Sequence, residues 1–229
     1  MVNYILPHLG LGDYLVCNGL IRNLVKPDEQ YILFTNFKYK ESVEFMFRDL
    51  PNLTYSLVPP VEFNRQYIMP YIKHPEYKLI TIGYDAMDYS TSADKMFYKQ
   101  HKVDFEKRWS DFFVERDLEK EQDIFKHYNV KENEYIFLHE GGSANDAVID
   151  KNKINNDLQI VSPELTLTKN VFDYCYLIEH AAEIHVVESS FLFLIDSIKT
   201  NGKLFAHRYA RKLAKYTIPN LKKNWEIIE

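Results

Sequence analysis

The stretch Val2-Asn3-Tyr4-Ile5-Leu6-Pro7-His8-Leu9-Gly10-Leu11-Gly12-Asp13-Tyr14-Leu15-Val16 decides how the rest of the chain is read. Its first five residues form a short, mostly apolar run, the pattern of a strand buried on both faces. A turn follows over residues 7–12, rich in residues that break regular structure. Beyond it, Leu15, Val16, Leu20, Ile21 and Leu24 recur at helical spacing. Strand, glycine turn and helix together are the opening unit of a parallel α/β sheet.

Outward from this unit the alternation continues. Apolar runs at 31–34, 55–58 and 78–82 predict strands, and 39–48 predicts a helix. Residues 92–128 hold no strand pattern; helices at 92–100, 108–113 and 117–128 read as a connecting region. The pattern then restarts. A strand at 135–139 runs into Glu140-Gly141-Gly142-Ser143, and further strands are expected at 158–161, 183–187 and 204–206. Helices are expected at 171–182 and 189–199, with basic helical sequence to about 216. The expected fold class is α/β: two Rossmann-like lobes, 1–115 and 116–229, facing a central cleft. Five of the seven glycines (Gly10, Gly12, Gly19, Gly141 and Gly142) sit in or just after the two opening turns. Glycine there permits positive φ and close approach of backbone to a ligand, and ligands of parallel α/β sheets bind beyond the carboxyl ends of the strands.

Composition narrows the class. The chain has 229 residues, 46% hydrophobic and 27% charged, which suits a globular protein with room for two small cores. Aromatics at 15% fill cores or supply platforms on which sugars stack. A net charge of -5 gives no general attraction to nucleic acid. Residues 197–225 nonetheless lack Asp and Glu, so this stretch reads as a phosphate-facing or membrane-facing surface or as a solvated basic face. Cys17 and Cys175 lie in apolar helical patterns, as buried thiols of a reducing compartment do, and make neither a disulfide framework nor a zinc site. The chain shows no secretory leader pattern and no apolar run approaching about 18 residues, so a cytoplasmic protein without a membrane span is expected.

Four constellations could carry chemistry. In the opening turn, Leu15 stands where a dinucleotide fingerprint needs its third glycine, and the Lys-Ser/Thr pair of a phosphate loop is missing. What remains is Asp13 at a helix N-terminus, where free N–H groups and the helix dipole favour the ionised form. It reads either as a base for an attacking hydroxyl or as a plain helix cap. The run Val187-Glu188-Ser189-Ser190 ends a strand and opens a helix. It is a nest for phosphate, with Glu188 accepting from ribose hydroxyls, or a routine N-cap. His139 to Ser143 could hold phosphate or donor sugar, or be a flexible loop. His207, Arg208, Arg211 and Lys212 could neutralise a diphosphate leaving group. Asp85 and Asp88 are the nearest approach to a metal-holding pair and read as loop residues, so no metal site is expected.

The strand followed by Gly10-Leu11-Gly12-Asp13 and Tyr14-Leu15-Val16-Cys17-Asn18-Gly19-Leu20 resembles the start of heptosyltransferase-like glycosyltransferases of the GT-B fold. The stretch from Asn170 through His185-Val186-Val187-Glu188-Ser189-Ser190 is similar to that family's donor-binding region, with Glu188-Ser189 standing where the family has Asp-Ser. Ser190-Phe191 replaces the usual following glycine, and the chain is short for the family. The resemblance implies an inverting, metal-independent transfer of a sugar from a UDP-, GDP- or ADP-sugar to an acceptor hydroxyl, on a glycan or on nucleic acid. It implies Asp13 as base, and no cofactor beyond the nucleotide sugar. The donor would meet Gly10, Gly12, His139, Ser143, Glu188, Ser189, Ser190, His207, Arg208 and Arg211, with Lys151 and Lys153 as candidates for a phosphate-binding lysine. The alternative is a non-catalytic nucleotide-binding or interaction protein with a reduced fold, in which Asp13 is only a cap.

Overall fold

A computed structural model describes residues 1–59, 65–84, 91–141, 148–154, 157–210 and 220–229. The chain divides into two compact units, Met1–Glu115 and Arg116–Glu229.

The first unit runs β1 (Val2–Leu6), α1 (Leu11–Val16), α2 (Asn18–Leu24), β2 (Gln30–Asn36), α3 (Lys40–Met46), β3 (Leu53–Val58), α4 (Arg65–Ile68), β4 (Tyr77–Thr81), α5 (Ala93–Gln100) and α6 (Lys107–Ser110). Its strands are parallel, in the order β3-β2-β1-β4. Central β1 buries Tyr4, Ile5 and Leu6 in succession, which is why its sequence is an apolar run without alternation. The helix expected after the first turn is two. Cys17 interrupts it at φ -88°, ψ 5°, yet the Cys17 N–H still bonds Asp13 O at 2.8 Å and its carbonyl accepts from Ile21 at 2.8 Å.

Residues 92–115 are not a connector but part of the first unit's core. The Tyr98 hydroxyl accepts from the Leu20 N–H at 3.1 Å and donates to Val16 O at 2.9 Å. Arg108 is fully buried and pairs with Asp94 at 2.6 Å. A Cβ on Gly19 would stand 2.0 Å from Lys107 O, so only glycine lets α2 and α6 touch. Charged residues such as Asp94 and Arg108 gave these helices the look of a solvated link, and pairing is what allows them inside.

The second unit runs α7 (Leu118–His127), β5 (Tyr135–His139), β6 (Gln159–Val161), α8 (Cys175–Glu179), β7 (Glu183–Val186), α9 (Ser190–Ser197), β8 (Lys203–His207) and β9 (Trp225–Ile228). Its sheet is parallel as well, ordered β6-β5-β7-β8-β9. A 3-10 turn, Val171–Tyr174, replaces the first part of the helix expected at 171–182. Strand β9 was not expected; it is four residues long and includes Glu226. Asp196 on α9 places it, accepting from the Lys222 and Lys223 N–H groups and from Trp225 Nε1 at 3.0–3.1 Å. The basic helix expected to about 216 falls largely on residues 211–219, outside those described. Arg116 ties the start of α7 to the end of α8 through Glu121 and Glu179. Cys17 and Cys175 are buried free thiols. Among the described residues no helix is long and apolar enough to cross a membrane.

Candidate functional site

In the first unit the candidate residues gather where β1 ends. The chain turns through Pro7, His8 and Leu9, and α1 opens with Gly10 as its N-cap. The expectation of a positive φ there is corrected: Gly10 is extended, at φ -80° and ψ 141°. What glycine leaves there is room for the carboxyl: a Cβ would lie 2.7 Å from Asp13 Oδ2 and displace it. The Asp13 carboxyl therefore folds back over the turn. Gly12 is already the second residue of α1 and half-buried, so the helix starts earlier than the sequence suggested.

Asn36, buried at the end of β2, fixes this turn from the neighbouring strand. Its Nδ2 donates to Leu9 O at 2.7 Å, while its Oδ1 accepts from the Tyr39 N–H at 3.2 Å. A polar residue closing an apolar run was the available signal, and sequence reasoning passed over it. His8 lies with Nε2 3.3 Å from Gly83 O and its ring edge-on to Tyr84 and Phe97, at 5.0 and 5.3 Å between centroids. Gly83 has φ +87°, and a Cβ there would sit 2.5 Å from Phe97 and 2.8 Å from His8 Nε2. Its left-handed backbone and missing side chain together make the seat for the imidazole.

Burial raises the Asp13 carboxyl above the ordinary carboxylate range, while the His8 charge and backbone hydrogen bonding at Gly10 pull it down. The sequence weighed only the helix terminus and expected an ionised group; desolvation is the larger influence. A carboxyl with a raised pKa is a stronger base once ionised, which suits it to take a proton from a hydroxyl.

In the second unit, His139 ends β5, and the chain leaves β7 through Val187 and Glu188 into Ser189 and α9. Ser189 is the N-cap residue of α9, but its side chain turns elsewhere. Its hydroxyl makes no cap bond and lies 3.1 Å from His139 Nδ1. His139 packs on Phe191 at 4.3 Å between centroids, and burial pushes its imidazole down to about 4, so it is neutral at neutral pH. Ser190 is the first residue of α9 and half-buried. Glu188, Leu192, Ala206, His207, Arg208 and Ile227 line a small pocket at the ends of these strands.

His207 is fully buried, and burial pushes it down to about 4, so it carries no charge to set against a phosphate. Among the described residues, positive charge at this edge sits on Arg208, Lys151 and Lys153. Arg208 donates to Glu229 Oε1 at 3.0 Å, Lys151 pairs with Glu140 at 3.2 Å, and Lys153 Nζ lies 4.3 Å from the centre of the Tyr209 ring. Thus Gly10, Gly12 and Asp13 share the end of β1, while His139, Glu188, Ser189, Ser190, His207 and Arg208 share the carboxyl edge of the second sheet. Ser143, Arg211, Lys212, Asp85 and Asp88 lie outside the described residues. Among the described residues no three His, Cys, Asp or Glu side chains are grouped to hold a metal ion.

No protein-family model matches the chain, and no curated protein sequence matches it significantly. Solved structures do. The glycosyl transferase family 9 protein from Veillonella parvula superposes with a TM-score of 0.55 at 9% identity, over 90% of this chain and 80% of its own. The E. coli ADP-heptose LPS heptosyltransferase II superposes with a TM-score of 0.59 at 11% identity, over 100% of this chain and 90% of its own. At such identities the likeness is one of fold: parallel α/β units like those of these glycosyltransferases.

Proposed function

We propose that the chain is a glycosyltransferase that moves a sugar from a nucleoside-diphosphate sugar to an acceptor hydroxyl with inversion. The fold likeness to two glycosyltransferases supports the class. The observation that carries the reaction is the Asp13 carboxyl at the end of β1, half-withdrawn from water and beside His8. In this reading Asp13 takes the proton of the acceptor hydroxyl as its oxygen attacks the anomeric carbon. The new C–O bond forms on one face while the bond to the diphosphate oxygen breaks on the other. The electron pair leaves with the nucleoside diphosphate, so negative charge grows on the leaving group. Arg208 with Lys151 and Lys153 would take up that charge, a role that needs no metal. Glu188 and the Ser189-Ser190 end of α9 would hold the nucleotide.

The name of the E. coli relative couples ADP-heptose to lipopolysaccharide. For this chain the corresponding proposal is a UDP-, GDP- or ADP-sugar donor and a glycan hydroxyl as acceptor. Substituting Asp13→Asn tests the assignment. Transfer should fall by at least about a hundredfold, the scale of a lost general base, while nucleoside diphosphate affinity stays nearly unchanged. Unchanged turnover would remove Asp13 from the mechanism. A thermal-shift screen of nucleotide sugars finds the donor, because a ligand that binds only the folded state raises stability by mass action.

A further inference from the structure

Across the second sheet runs a line of hydrogen-bonded polar groups, buried at its centre and open at the Asp150 end, that the proposed transfer does not use. His185 on β7 and His207 on the adjacent β8 are 1% and 0% exposed. Their rings meet directly, His185 Nδ1 to His207 Nε2 at 2.9 Å. At one end His185 Nε2 reaches Glu183 Oε2 at 3.4 Å. At the other, His207 Nδ1 lies 3.2 Å from the Tyr209 hydroxyl, which accepts from the Asp150 N–H at 2.8 Å. Phe205 stacks on His185 at 4.4 Å between centroids and closes that side to water.

The hydrogens along this line are fixed by elimination. A carboxylate only accepts, so His185 Nε2 carries the proton that Glu183 receives. Neutral imidazole has a single N–H, which leaves His185 Nδ1 as acceptor and makes His207 Nε2 the donor. His207 Nδ1 is then an acceptor as well, and the Tyr209 hydroxyl must donate to it. The Tyr209 oxygen is thereby turned to receive the Asp150 N–H. The line runs one way, from Asp150 at the carboxyl edge to Glu183 at the start of β7. Asp150 opens the turn that carries Lys151 and Lys153, and Lys153 lies over the Tyr209 ring. Arg208 is the residue before Tyr209.

We propose that Tyr209 is a positioning residue: its hydroxyl, oriented through His207 and His185 by Glu183, docks the Asp150–Lys153 turn so that Lys151 and Lys153 stand beside Arg208 as one anion site for a diphosphate. The ligand class rests on the transfer reading above; the docking of the turn does not. The groups facing the histidine pair are Glu183 on its own strand, Glu226 on β9, and Lys151 and Lys153 on the turn.

The test pairs a spectroscopic readout with a binding readout. In the wild type, nitrogen-15 correlation of the histidine rings should find His185 and His207 neutral and protonated at Nε2; an Nδ1–H form of either overturns the line of bonds. In Tyr209→Phe, hydrogen exchange at the Asp150 amide should quicken roughly tenfold, the worth of one hydrogen bond. The Kd for ADP, UDP and GDP should rise by a similar factor, with the matching nucleosides bound as before. Unaltered Asp150 exchange, or equal losses for nucleoside and diphosphate, overturns the proposal. If the wild type binds none of the three diphosphates, the transfer reading falls, and the ring and amide readouts still decide the docking. Should Tyr209→Phe not fold, Glu183→Leu removes the acceptor at the far end and must let His185 populate both tautomers; a ring still fixed as in the wild type overturns the proposal.

Discussion

Ionising a carboxyl withdrawn from water is unfavourable, and the surroundings of Asp13 decide by how much. The His8 charge and the Gly10 backbone oppose the burial that raises it. Replacing His8→Phe keeps a ring between Tyr84 and Phe97 but removes the charge, so the carboxyl rises further. The acid limb of the transfer profile should therefore move to higher pH, with turnover at the alkaline plateau nearly unchanged; an unmoved limb would separate His8 from Asp13. The same raised pKa has a sign for stability. A folded state that holds a proton more tightly than the unfolded chain is favoured at low pH and loses that advantage as pH rises through the folded value. Asp13→Asn escapes this loss. Urea midpoints should put the Asn variant on the order of 1 kcal/mol above wild type at neutral pH, the scale of a relieved functional strain, with the two converging in acid. Greater stability alongside abolished transfer would mark Asp13 as kept for chemistry, whereas a plain helix cap predicts the opposite change.

At the scale of elements, two contacts hold helices and strands where the candidate residues need them. Gly19→Ala places a methyl against Lys107 O, where 2.0 Å is available, and pushes α2 away from α6. Overpacking of this kind costs about 1–3 kcal/mol, read as a lower urea midpoint at unchanged slope. Asp196→Ala leaves Lys222, Lys223 and Trp225 without their shared acceptor. Hydrogen bonds to a charged group are worth about 1.5–3 kcal/mol each, so β9 should fray, and Trp225 emission should shift to the red. A variant with native Trp225 emission would show that backbone pairing to β8 is sufficient for β9.

These elements also mark what the sequence could reveal. Strands β1, β2, β5 and β7 were legible because parallel strands covered on both faces become apolar runs, and which residues lie at their carboxyl ends followed from chain direction alone. Asp13 and Ser189 were visible for that reason. Hidden were features set by contacts distant in sequence. Asn36 holds a turn 27 residues away, and Ser189 turns from its helix to a histidine 50 residues earlier. Strand β9 depends on a carboxylate 29 residues before its first residue. Asp94 and Arg108 looked solvated because pairing that permits burial leaves no local trace. Local pattern records which surface a segment must cover, not which partner answers a polar group.

At the scale of the molecule, each unit has its own parallel sheet and its own buried core, the condition for a segment to fold by itself. The fragments 1–115 and 116–229 should each unfold cooperatively in urea. Proposed roles divide along the same line, with the base on the first unit and the nucleotide on the second. A nucleoside diphosphate that binds only the folded second unit should stabilise fragment 116–229 by about 2.7 kcal/mol at a hundred times its Kd and leave 1–115 where it was. Whole-chain unfolding should then show only the second unit's transition moving. If the ligand instead shifts fragment 1–115, the nucleotide sits at the glycine turn, and the roles of the two units are reversed. If neither fragment responds while the whole chain does, the donor site draws on both units, and residues of the first must be counted among those that hold it. The fragment measurement thus decides where the donor binds without depending on turnover, so it holds whatever becomes of Asp13.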